Sequence, residues 1–151
     1  MITAQEISKE ELLKLKDKFI FHGSPTLFDI CKPHQAKCDT GKKENSQFAI
    51  YGSSELTFAI LFAFEKQPKS KYKWSANTAK DGSCYAILEE GTYVDEDAFG
   101  HIYCFDKTKF EPTAPGSHQQ VCKKQLAPAK IYKIYYKQFS ELFQQSITAG
   151  V

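Results

Sequence analysis

Apolar positions along the chain switch between a helical and a strand period. Leu12, Leu13 and Leu15 interleave with Lys14, Lys16 and Lys18, and Ser8 followed by Glu11 is a capping box that opens a first helix there. Residues 19–22 then read as a strand that ends on His22-Gly23. A long connection, 25–47, carries Cys31, His34, Cys38, Gly41 and a polar patch at 42–45. Connections of that length in a small domain are usually functional or mobile. A second strand, 48–51, ends on Tyr51-Gly52, and Ser53 or Ser54 is expected to cap a helix over 55–64. That helix is apolar on nearly every face, so it must be buried.

A lysine-rich stretch, 66–82, follows and reads as a solvated excursion, with acceptor docking or phosphate attraction as its functional alternative. Short aromatic strands are expected at 83–88 and 100–105, and from Val121-Cys122 running towards 130–135. Gly91, Asp95 and Gly100 punctuate turns, 112–117 is a loop, and a short terminal helix is expected from Ser140. The pattern predicts one α+β domain over 1–151, with two early helices and a mainly antiparallel sheet.

Composition sharpens this outline in three respects. Twelve Phe and eight Tyr against one Met and one Trp predict an aromatic, strand-rich interior. The net charge is only +2 and no basic block occurs, so nucleic acid is not signalled as an obligatory partner. All 20 basic residues are Lys, and chemistry that needs a bidentate guanidinium is excluded.

Five scattered cysteines without a C-x-x-C pair, behind a charged first segment that does not read as a signal peptide, fit reduced thiols in the cytoplasm. The longest apolar run, 56–64, is too short to span a membrane. No metal is expected. Cys31, His34 and Cys38 supply only three ligands, and His101 and Cys104 on one strand point to opposite faces.

Two strand ends, each a ring followed by a glycine, look like two walls of one pocket. His22-Gly23, then Ile50-Tyr51-Gly52 with its buried helix, then Gly100–Tyr103, Phe110, the 111–118 loop and the strand after Gln120 resemble, in that order, the ADP-ribosyltransferase superfamily in its His-Tyr-Glu branch. The resemblance covers about 19–135 and implies a split, mainly antiparallel sheet with flanking helices. It also implies NAD as co-substrate, cleavage of the nicotinamide–ribose bond, and transfer of ADP-ribose to an acceptor, either protein or nucleic acid. By the same resemblance His22 holds the adenosine ribose, and the Gly23 backbone, with Ser24 beside it, the nicotinamide carboxamide. Tyr51 stacks on the nicotinamide, and Phe62 supplies a second aromatic. The absence of Arg agrees, since the Arg-initiated branch is excluded by composition.

The third position departs from the family. His118-Gln119-Gln120-Val121 has no Glu. Alternation puts Gln120 on one face with Cys122, which makes Gln120 the choice for the catalytic slot, Gln119 the alternative, and Glu111 a substitute from the loop. An amide can hydrogen-bond a ribose hydroxyl but supplies no negative charge to a developing cation. A non-catalytic module that binds NAD or ADP-ribose therefore stands beside the transferase, and a plain protein-interaction domain beside both.

Overall fold

The computed structural model describes residues 3–28, 34–35 and 48–146. In chain order its elements are β1 (Gln5–Glu6), α1 (Lys9–Leu13), β2 (Ile20–Ser24), β3 (His34–Gln35), β4 (Phe48–Ser53), α2 (Leu56–Ala63), β5 (Trp74–Thr78), β6 (Cys84–Leu88), β7 (Phe99–Phe105), β8 (Glu111–Pro112), β9 (Gln119–Cys122), β10 (Lys130–Tyr135), α3 (Tyr136–Phe139) and β11 (Phe143–Gln145). Most of this is strand. The larger sheet has the order β1-β10-β7-β2-β4-β9-β8 with β3 on β4, and a smaller one has the order β11-β6-β5. Among the described residues only the β1/β10 and β11/β6 pairings are parallel, so the expected α+β class with a mainly antiparallel sheet is observed.

Local chemistry explains the helix starts. Ser8 Oγ accepts the Glu11 N–H at 3.1 Å, as the capping pattern predicts. At α2 the cap differs from expectation. The Glu55 carboxylate accepts the Thr57 N–H at 3.0 Å, while Ser53 Oγ accepts the Glu55 N–H one step earlier, at 2.9 Å. A carboxylate there also suits the positive end of the helix.

The second helix is buried because it packs against both sheets. Leu56, Ala59, Ile60 and Ala63 join Phe21, Ile102 and Cys104 in one core cluster, and Leu61 joins Cys84 and Ala86 of β6 in another. Burying Ile60 and Leu61 contributes about 2 kcal/mol each. Two glycines set how close the helix comes. A Cβ on Gly23 would stand 1.8 Å from the Ala59 carbonyl oxygen, and one on Gly100 would stand 1.8 Å from that of Ala63. Only a bare Cα fits at either place.

The opposite face of the larger sheet carries a separate cluster of Ile20, Ile50, Tyr103, Phe105, Cys122 and Ile131. Tyr103 is buried there. Its hydroxyl donates to the Thr26 carbonyl at 2.6 Å and accepts the Phe28 N–H at 2.8 Å, pinning the chain as it leaves β2.

Three expectations need correction. The strand begun at Val121-Cys122 does not run on to 135, because β9 pairs with β4 and β8 whereas β10 pairs with β7 and β1. The chain crosses the sheet between them. The 66–82 stretch is not all solvated, since it supplies β5 of a hairpin with β6 and buries Lys66. No α-helix starts at Ser140 as expected, because α3 ends at Phe139 and a single 3₁₀ turn over Ser140–Leu142 leads straight into β11.

Candidate functional site

The larger sheet has a seam between β2 and β4. Among the described residues the two strands share one registered pair, Phe21 opposite Ser53. Beyond it a side chain takes over from the ladder. His22 Nδ1 lies 2.6 Å from the Tyr51 carbonyl oxygen. A carbonyl can only accept, so Nδ1 carries a proton. The imidazole is half-buried, edge-on to the Tyr103 ring at 5.9 Å and tilted against Phe28 at 6.2 Å.

Strand alternation then sorts the candidate residues. His22 lies two positions from Ile20 and faces the Tyr103 side. Gly52 faces the same way, since a Cβ built on it would meet Ile20 Cγ2 at 2.6 Å and Phe110 Cε2 at 3.6 Å. Gln120 is the register partner of Gly52, so it shares that face with Cys122, as alternation predicts. Its amide Nε2 donates to the Ser117 carbonyl at 3.4 Å. Tyr51 and Ser53 face α2, and Gln119 stands opposite Ser53 on that side. Glu111 continues the row, opposite Val121, which is in turn opposite Tyr51. Two strand spacings put the Glu111 and Tyr51 positions roughly 10 Å apart. His22 is thus tied to the Tyr51 main chain and shares a face with Gln120, whereas the Tyr51 side chain shares a face with Gln119.

The glycine of the first motif has a different neighbour from the one expected. Its α-carbon is turned to the Ala59 carbonyl, which accounts for a glycine there without a ligand. Ser24 Oγ accepts the Thr26 N–H at 3.1 Å, so the hydroxyl shapes the turn after β2.

Phe62, 41% exposed, stands in an aromatic row along α2. His118, Phe58, Phe62 and Trp74 follow one another with ring centroids 4.6, 5.0 and 5.0 Å apart. One end of the row is held by Ser53. That hydroxyl accepts from Glu55 N–H and shares a second hydrogen bond with His118 Nδ1, 2.9 Å away, whose direction is set by the His118 tautomer. Desolvation lowers the His118 pKa against the opposing pull of the Glu55 carboxylate.

The other end is held by Lys66. Its ammonium lies 4.0 Å from the Trp74 ring centroid and also faces the Phe62 and Phe143 rings, and it donates to the Leu61 carbonyl. Burial pushes its pKa down to about 7. Neither the Ser53–His118 pair nor the Lys66 cage was foreseen. His118 beside Gln119 was the only available signal, because two of the three rings around Lys66, Trp74 and Phe143, come from β5 and β11.

Cys31 and Cys38 fall outside the described residues, and of His34 only its place in β3 is described. Among the described residues no group of three or more His, Cys, Asp or Glu is placed to hold a metal ion. Cys84, Cys104 and Cys122 are free thiols, and no described helix is long and apolar enough to cross a membrane. Comparison with protein-family models, with curated proteins and with solved structures gives no match.

Proposed function

We propose that the protein binds NAD at the β2/β4 seam and is an ADP-ribosyltransferase-like enzyme that cleaves the nicotinamide–ribose bond. The observation that carries this reading is the His22 bridge to Tyr51 at the point where the two strands stop pairing. It fixes the orientation of an imidazole, a ring able to hydrogen-bond a ribose hydroxyl, beside the strand that carries the Tyr51 ring. In this reading His22 takes the adenosine ribose and Tyr51 stacks on the nicotinamide, with Gly23 and Ser24 flanking the seam. Phe62 extends the aromatic wall. Because Gln119 shares the face of the Tyr51 side chain and Gln120 does not, Gln119 is the better occupant of the third position. The acceptor is a protein or a nucleic acid.

A second reading is supported by that same position. Both candidates there are amides, and the nearest carboxylate in the row, Glu111, lies two strands from Tyr51. An amide holds a hydroxyl without stabilising a cation, which suits a binder of NAD or ADP-ribose that does not turn over.

Thermal unfolding with and without millimolar NAD tests the site. Stabilisation that disappears in His22→Ala supports binding, and absence of any shift removes both readings. Release of nicotinamide from bound NAD separates the enzyme from the binder.

A further inference from the structure

We propose a second ligand site, an anion-binding cavity at the β8/β9 edge of the larger sheet that takes a small molecule with an apolar body and a carboxylate, sulfonate or phosphate head. The cavity measures about 550 Å³ and lies between the turn before β8 and the chain leaving β9. That volume suits a drug-sized ligand.

Its floor is apolar. Phe110, Cys122 and Leu126 line it, and all three belong to the cluster on the Tyr103 face of the sheet. Phe110 is anchored there by the Phe105 ring, with centroids 5.4 Å apart. The rim is cationic, formed by Lys109, Lys123 and Lys124. None of these three lysines is in an ion pair among the described residues. Glu111 is the one carboxylate in the lining. Asp106, close by in sequence, accepts the Thr108 N–H and hydroxyl at 2.9 Å each, and its carboxylate also interacts with the Lys109 charge.

Three lysines against the Glu111 carboxylate and the nearby Asp106 leave a local excess of positive charge over an apolar floor. An apolar body gains by covering Phe110 and Leu126, and an anionic head gains by reaching the ammonium groups. A purely polar anion forfeits the first gain, and a neutral apolar molecule the second. The cavity lining does not include His22, Tyr51, Gln119 or Gln120, so the proposal stands apart from the NAD reading.

The test is a fluorescence titration of the intact protein with 8-anilinonaphthalene-1-sulfonate, an aromatic anion, together with ¹H–¹⁵N chemical-shift mapping. The expected result is one saturable site whose shifts centre on 108–111 and 121–126. Lys109→Glu with Lys124→Glu should weaken it at least tenfold, and Leu126→Trp, which fills the floor, should do the same. His22→Ala should leave the affinity unchanged, so failure of the NAD reading does not touch this one. Unfolding midpoints of the variants close to wild type establish that the losses are local. Absence of saturation, shifts centred elsewhere, or charge reversal without effect would each overturn the proposal.

Discussion

His22 Nδ1 donates to the Tyr51 carbonyl at 2.6 Å, joining two strands at the point where their own ladder ends. A side chain here does what a backbone amide does elsewhere in the sheet. Removing it leaves a partly buried carbonyl without that donor, at a cost of about 1–2 kcal/mol. His22→Ala is expected to lower stability by that amount in denaturant unfolding and to abolish stabilisation by NAD. A variant as stable as the wild type would show that the bridge contributes nothing.

The two glutamines make opposite predictions. If Gln119 fills the third position, Gln119→Glu restores a negative charge on the Tyr51 face and raises nicotinamide release by about 100-fold. Gln120→Glu, on the other face, is expected to leave the rate unchanged. A gain from Gln120→Glu alone would reverse the assignment. No gain from either would favour a binder.

Glycine substitutions should split into two classes. Gly23→Ala and Gly100→Ala drive a methyl into a helix carbonyl and are expected to cost about 3 kcal/mol or more. Gly82→Ala and Gly116→Ala meet nothing within 4 Å, and only their positive φ opposes the change, at about 1 kcal/mol. Thermal unfolding of the four variants checks the ranking.

Lys66 gives a signature in alkali. Its folded pKa is lowered to about 7 by burial, whereas the unfolded chain holds the proton up to about 10.5. Between those values the unfolded state binds more protons, so stability rises with pH, by at most about 1.4 kcal/mol per unit. Lys66→Met should flatten that slope while keeping most of the packing. A wild-type profile already flat from pH 7 to 10 would mean that the rings and the Leu61 carbonyl hold the ammonium charged.

In acid the histidines dominate. Burial lowers the pKa of both His101 and His118 from the ordinary 6.5, and His101 Nδ1 has no hydrogen-bond partner among the described residues. The unfolded chain therefore takes up protons first. Stability is held above pH 6.5 and falls as pH drops through the lowered folded values. The loss should shrink in a His101→Asn/His118→Asn double variant, measured as unfolding free energy between pH 7 and 5.

Local signals were legible in the sequence wherever the controlling contacts are local. Ser8 caps α1 through Glu11, three residues on, whereas His22-Gly23 and Tyr51-Gly52, read as strand ends, lie inside β2 and β4, which run on to Ser24 and Ser53. Alternation also paired Gln120 with Cys122 correctly. What alternation could not supply is the register against β4, and that alone decides which glutamine faces the Tyr51 ring. Lys66 was misjudged for a similar reason. A lysine reads as exposed until Trp74 and Phe143, from two strands of another sheet, close over it.

The close seating of α2 on the sheet separates frame from chemistry. Gly23 and Gly100 answer to helix carbonyls, so a chain that lost every reactive group would still be held to both glycines. His22 carries no such obligation to the helix. In any diverged copy of this protein, glycines retained without the histidine would mark the seating of the helix as independent of the β2/β4 bridge.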